Sequence, residues 1–438
     1  MYFIPILRIN IDRYVVPKIR RYTMTLEKYS IGVGDRFGRQ GNAQLQAFLI
    51  AQQLGVDVVP VWNKSNREHT IIGTNPEDTR READTAVKKM GWKGAYHVDA
   101  DHIGLGNVDK FMAHADFFTL DVADFIGIAP AEADLLAFEQ SMAKYIGKLN
   151  IPGVQREITV TKDSVHSIGA KYLYAIEEAA KTYQHIKKNK GEGKFIVEVS
   201  MDETDTPQTP VEMFFILAAL AQEGIPAQTI APKFSGKFLK GIDYVGNPSA
   251  FAQEFEEDVL VIAHAVNIFN LPKNLKLSVH SGSDKFSLYP HIRQVLKMHN
   301  AGLHLKTAGT TWLEELIGLA LAGGDGLAIA HDVYAQAFAR RVELCKPYAT
   351  VVEIDNSKLP QPSQVSNWTS QQFVSALQHD QKNPVFNIHL RQMLHVAFKI
   401  AAEMGTRYTS ALDKYENSVS ASVTGNILNR HLKPLFID

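Results

Sequence analysis

Cysteine is nearly missing: Cys345 is the single one in 438 residues. One cysteine closes no intramolecular disulfide, and without a CxxC pair there is no redox or zinc-ribbon motif. No apolar run approaches the length of a membrane-spanning helix. The formal charge balances to -1, which removes any general pull towards nucleic acid or an anionic membrane. A Walker A lysine motif is missing as well. What is present is a globular composition, 45% hydrophobic and 21% charged, in a chain long enough for one full-size α/β domain with an appendage. The apolar start of the chain is interrupted by Pro5, Arg8, Asp12 and Arg13, and no small-residue cleavage site follows. Residues 1–28 are therefore expected to be an irregular covering segment rather than a targeting peptide. The expected setting is cytoplasmic, with neither nucleic acid nor membrane as partner and with homo-oligomer formation left open.

From Tyr29 a strand–helix rhythm begins. Short, apolar, β-rich runs at 29–33, 56–61, 94–98, 117–120, 194–199, 227–230, 275–279 and 302–305 read as strands. Helical patterns follow at 42–54, 76–90, 131–145, 210–222, 249–269, 290–299 and 312–322. The stretch 151–190 exceeds the period, and its helix, 164–188, reads as an insertion or an extended crossover. Eight strands, each followed by a helix, predict an α/β fold, a (β/α)8 TIM-type barrel over 29–324. A doubly wound open sheet is the alternative. Residues 325–438 are expected to form a mainly helical C-terminal extension. Its helices are expected at 328–344, 370–378 and 388–404, with a short strand from Thr350 to Ile354.

The polar chemistry falls at the strand ends, where a parallel barrel gathers it on one rim. The stretch from Leu275 to Tyr289, LKLSVHSGSDKFSLY, starts as a buried strand. It then breaks into His280, Ser281, Asp284 and Lys285, a mixture suited to ligand contact at a backbone that can be closely approached. HVDADHIG, from His97 to Gly104, has a metal-ligand composition, and Asp101 beside His102 pairs a proton carrier with a ligand. Glu198 lies inside a strand, where a carboxylate is costly unless paired or metal-bound. Glu198 and Glu203 are the acid/base candidates, while some acids of the Asp202–Asp205 loop suit a helix N-terminus. His304 and Lys306 share parity and point the same way, although a core histidine also fits His304. Arg36, Lys233, Lys285 and Lys306 suggest an anionic or polyhydroxy substrate. Gly32 to Gly38 is only a weak dinucleotide signal, because Phe37 stands where the third glycine belongs.

Longer segments carry a resemblance. EVSMDETDTPQTP (Glu198 to Pro210), TIAPKFSGKFLKGIDYVG (Thr229 to Gly246), LKLSVHSGSDKFSLYP (Leu275 to Pro290) and AGLHLKTAGTTWLEELIGLA (Ala301 to Ala320) resemble the tagaturonate epimerase family. HVDADHI (His97 to Ile103) and KPYATVVEID (Lys346 to Asp355) also fit. The resemblance implies interconversion of tagaturonate and fructuronate by inversion at C4, with a divalent metal such as Zn, Mn, Ni or Co. Uncharged tagatose and fructose are implied as further substrates. A looser analogy is to class II metal-dependent aldolases, the alternative function. C4 lies two bonds from the ketone, so its C–H is not acidic. Cleavage between C3 and C4, rotation of the aldehyde half and re-addition would invert it. On this expectation His102, His280 and His304 hold the metal, and Asp101 and Glu203 exchange protons. Glu198 could replace any one of the histidines. Arg36, Lys233, Ser281, Asp284, Lys285 and Lys306 would contact the substrate. Transient oxidation by a bound nicotinamide is the competing route, and a catalytically dead sugar-binding protein is a further class.

Overall fold

The computed structural model describes residues 24–306 and 310–437. Eight parallel strands close into a barrel: β1 (Tyr29–Val33), β2 (Val59–Ser65), β3 (His97–Ile103), β4 (Phe117–Asp121), β7 (Ile196–Ser200), β8 (Thr229–Ala231), β9 (Lys276–Val279) and β10 (Leu303–Lys306). Between β4 and β7 lies a small antiparallel hairpin of β5 (Gly147–Leu149) and β6 (Ile158–Val160). Closure comes from β1, which pairs in parallel with both β2 and β10. The open-sheet alternative is thereby replaced by a closed barrel.

Two of the strands run further than their apolar letters suggest. In β2 pairing continues through Asn63 and Lys64, and in β3 it continues through Asp101. Asn63 and Asp101 are in the sheet with their side chains towards the polar bore, whereas Lys64 alternates to the outer side, where its ammonium donates to the Arg36 carbonyl at 3.2 Å. The helical layer is α1 (Gly41–Gln53), α2 (Asn66–Ile72), α3 (Pro76–Met90), α4 (Glu132–Met142), α5 (Lys162–Lys190), α6 (Pro210–Gln222), α7 (Pro248–Ile268), α8 (Tyr289–His299) and α9 (Thr310–Ala322). Thr209 and Glu212 form a capping box that starts α6 with Pro210 in its first turn, the position where a missing N–H costs least. Strand β3 departs from the expected rhythm, since only a 3₁₀ turn, Val108–Lys110, separates it from β4.

The main apolar core lies outside the barrel, between strands and helices. Inside, a separate small plug of Leu26, Val61, Phe117 and Ile196 closes the N-terminal end, with Met24 packed against it. Above this plug the bore is polar, with Asp99, Thr119, Glu198, Ser278, His304 and Lys306 all buried. A barrel that fills its bore with ionisable groups gives up aliphatic packing for chemistry. Of the expected covering segment, residues 24–28 lie across the barrel mouth, where Met24 N–H donates to the Gly193 carbonyl at 2.9 Å. The remainder of that segment, 1–23, lies outside the described residues.

Beyond α9 the chain is helical, from α10 (Gly324–Ala339) and α11 (Arg341–Cys345) through α12 (Pro362–Val365), α13 (Ser370–Leu377), α14 (Ile388–His395), α15 (Phe398–Met404) and α16 (Thr406–Lys414) to α17 (Glu416–Asn426). The expected strand from Thr350 to Ile354 is a turn followed by irregular chain. Its β-branched letters have no partner strand among the described residues; Lys240 N–H donates to the Val351 carbonyl at 2.9 Å, and the Glu353 backbone bonds the Gln392 side chain at 2.9 and 3.0 Å. The expected helix over 388–404 breaks at Val396–Ala397 into α14 and α15. Helix α17 crosses α9 so closely that a Cβ on Gly318 would lie 2.5 Å from Val419 Cα, so only glycine fits that crossing.

Candidate active site

At the carboxyl end of the barrel His102, Asp202 and His280 converge. One ligand atom from each lies within 4.8 Å of the others. His280 follows β9 directly, and Asp202 lies two positions past Ser200, with the parity of Glu198. His102 reaches the bore by an irregularity. The β3–β4 register shifts between Ala100 and Ile103, and His102 takes a left-handed φ of 52°. Without that bulge, consecutive residues would face opposite sides; with it, Asp101 and His102 serve one site.

Each imidazole is held from behind by a carboxylate. Asp101 Oδ1 lies 2.8 Å from His102 Nδ1, and Glu198 Oε1 lies 2.7 Å from His280 Nε2. The front nitrogens face Asp202 Oδ1, His102 Nε2 at 3.4 Å and His280 Nδ1 at 3.1 Å. His102 Nε2 is buried and has no hydrogen-bond partner among the described residues. Two carboxylate-backed imidazoles and a carboxylate, with one imidazole nitrogen unpartnered, fit a first-row divalent cation.

The electrostatics agree. Burial alone would push both imidazoles towards neutrality, but Asp101 and Asp202 raise His102 well above its usual range. Asp202 and Glu198 raise His280 to about 9, against burial and Lys306. Asp101, Glu198 and Asp202 are held well below the carboxylate range despite burial, Asp101 and Glu198 chiefly by Lys306 and Asp202 chiefly by His280. Asp101, Glu198 and Asp202, with Asp99 raised to about 6 by burial, outnumber the single Lys306 ammonium, and the excess negative charge is met by protons on the histidines or by a dication.

Lys306 forms the floor. Its ammonium lies 2.7 Å from Asp101 Oδ1, 2.9 Å from Asp99 Oδ2 and 3.1 Å from Glu198 Oε1, and it donates to Thr119 Oγ1 at 2.7 Å. Above it opens a cavity of about 310 Å³, lined from the barrel by Arg36, Asn63, Arg67, Asp121, Glu203, Lys240 and Ser281. Tyr348, His395 and Phe398 roof it from the C-terminal extension. Arg36 pairs with Glu68 at 3.0 Å and lies 4.3 Å from the centre of the Phe398 ring. No carboxylate forms an ion pair with the Lys240 ammonium among the described residues; burial lowers its pKa, with Arg36 and Arg67 adding to that and the more distant Glu203 and Asp202 opposing it.

The sequence-derived candidates separate on this geometry. Asp101, Glu203, Arg36, Ser281, Lys306, His102 and His280 line one cavity. His304 does not join the triad. It lies one inward position below Lys306, roughly 6.6 Å deeper at the usual strand rise, with Nδ1 2.9 Å from Ser30 Oγ. Burial holds it neutral, at about 3, and Asp202 stands in the third ligand's place. Glu198 is fully buried beneath His280, bonded also to Thr119 and Thr229, so it faces no open space. Asp284 and Lys285 point away. Asp284 meets Arg391 at 2.9 Å, and the Lys285 ammonium donates to the Leu239, Ile242 and Ser283 carbonyls. These two charges fasten the extension and the loops to the barrel. Lys233 donates to the Thr204 carbonyl and lines an adjoining recess of about 170 Å³. Asn63, Asp121, Lys240 and His395 have no role assigned from sequence. Asn63 and Asp121 carried strand-end parity as a signal, whereas nothing local marks His395, some 90 residues past the last strand.

Known proteins are similar to this one along nearly the whole chain. The tagaturonate/fructuronate epimerase of Thermotoga maritima is 27% identical over 420 residues, covering 92% of this chain and 80% of that protein. A glycerol-complexed crystal structure of the fructuronate-tagaturonate epimerase of Cohnella laeviribosi superposes with a TM-score of 0.79 at 22% identity, over 95% of this chain and 83% of that one. The native crystal structure of the same enzyme gives 0.78 at 22% identity, over 97% and 84%. A family model described as tagaturonate epimerase matches residues 8–435, and the chain belongs to the tagaturonate epimerase family.

Proposed function

We propose that this chain interconverts tagaturonate and fructuronate by inversion at C4, with a divalent cation held by His102, Asp202 and His280. The observation that carries the reading is the triad itself, two carboxylate-backed imidazoles facing one carboxylate at the floor of a sugar-sized cavity. When bound, such a cation supplies Lewis-acid stabilisation of the negative charge that develops at the ketone. Cleavage and re-formation of the C3–C4 bond then needs a group to take and return the C4 hydroxyl proton. Glu203 and Asp121 line the cavity, and burial raises Asp121 towards the range of a proton carrier. Asp101 instead fixes His102, since its Oδ1 is shared by His102 and Lys306. Dialysis against a chelator is expected to abolish epimerisation and added Zn, Mn, Ni or Co to restore it; full activity in metal-free protein would overturn the reading.

The uronate is favoured over the neutral ketose by the cations near the roof. Lys240 brings a mostly buried ammonium into the cavity beside Arg36, and a substrate carboxylate would complete it. Lys240→Met is expected to raise KM for fructuronate about 10- to 100-fold, with little change for fructose. Steady-state kinetics on both sugars check this, and an equal loss on both would remove Lys240 from carboxylate recognition.

A further inference from the structure

The cavity floor holds a group that neither the triad nor the lysine cluster uses. Asn63 lies on β2 with its side chain in the bore, in the same parity as Val61 of the plug and Ser65 of the cavity wall. It is 2% exposed, and neither Oδ1 nor Nδ2 has a hydrogen-bond partner among the described residues. A buried carboxamide with both ends unpaired is costly in a folded protein and is normally satisfied. Space has been kept around it. A Cβ on Gly32 would lie 3.3 Å from Asn63 Oδ1 and 3.2 Å from Lys306 Cγ, so a side chain there would crowd both.

We propose that Asn63 is a specificity-determining residue that holds a hydroxyl group of the sugar chain, accepting through Oδ1 and donating through Nδ2. This role rests on the epimerase reading of the same site. A hydroxyl is both donor and acceptor, and a carboxamide answers both, whereas a carbonyl or carboxylate on the substrate could use only Nδ2. A site built around a hydroxyl rejects a chain that lacks it, because its own polar atoms are then left unpaired. Asn63 is thus suited to select a polyhydroxy chain, while Lys240 and Arg36 recognise its charged end.

The test uses full-length, metal-loaded protein with fructuronate as probe and compares wild type with Asn63→Leu and Asn63→Ala. Expected is a fall in kcat/KM of about 10²-fold, carried mainly by KM because the contact exists before and during reaction. Metal content should be unchanged. The Tm of Asn63→Leu should equal or exceed that of wild type, since an unpaired amide is replaced by an apolar group of similar size. An active wild type whose variants stay within about threefold in kcat/KM would overturn this role alone. A lowered Tm in both variants, or failure of both to fold, would make Asn63 structural and overturn it as well. A wild type that neither binds nor turns over fructuronate would overturn the epimerase reading and this role with it.

Discussion

Lys306→Met is expected to destabilise the protein by ~3–5 kcal/mol at neutral pH, the usual cost of leaving buried charge without its partner. Lys306 is 4% exposed, and its ammonium is shared by Asp99, Asp101 and Glu198. In the wild type Asp101 and Glu198 have depressed folded pKa values. Their stabilisation is therefore present above the unfolded carboxylate range, near pH 4, and is lost as pH falls below it. Removing Lys306 takes away the largest influence holding both acids down, and Asp99, which burial raises to about 6 even with Lys306 in place, rises further. A raised folded pKa reverses the sign, so the folded state gains as pH falls through that range and loses as pH rises. The variant should be relatively more stable at pH 5 than at pH 7.5. Chemical denaturation at the two values checks this, and an equal loss at both would refute the charge account.

Asp202→Asn is expected to lower metal affinity and kcat/KM by at least about 10³-fold while leaving the fold intact. Asp202 is the only anion of the triad, and both imidazoles face it. The same change should move the pH dependence of metal uptake to lower pH. In the wild type His280 is raised to about 9, so an incoming cation must displace its proton, and affinity should climb between pH 6 and 9. In the Asp202→Asn variant the imidazole loses the charge that raised it, and the climb should shift to lower pH. Calorimetric titration with Zn²⁺ and metal analysis of the variant decide the matter. Full metal stoichiometry with activity within tenfold of wild type would refute the triad.

The barrel was legible because its outer faces are apolar and its strands alternate with helices. All eight strands overlap the short β-rich runs that predict them, though β2 begins at Val59 and β3 at His97, three residues later than expected in each case, and both extend through charged letters that read as loop. The rim chemistry was legible too, since strand parity places Glu198, Lys306 and His280 inward. Depth was not. Parity says that His304 points into the bore but not that it lies below the reacting layer. The bulge at Asp101–His102 left no trace in composition, and it decides that both neighbours face one site. Asp284 and Lys285 looked like ligand groups because a loop's letters do not reveal that Arg391 and three carbonyls occupy them. His395 and Phe398 reach the roof only through the packing of the extension, which has no periodic signal pointing at the barrel.

The pairing of β1 with β10 has a consequence for synthesis. Ser30 and His304, bonded across that seam, are 274 residues apart, and Lys306 follows Asp101 by 205 residues. At roughly 5–20 residues per second on the ribosome, the acids wait on the order of 10–40 s for their ammonium. Until β10 emerges the nascent sheet has two raw edges and a bore of unshared negative charge. High contact order of this kind slows folding, and here the final strand delivers both the closing seam and the counter-charge. The growing chain should therefore lean on holding factors until its last barrel strand is free.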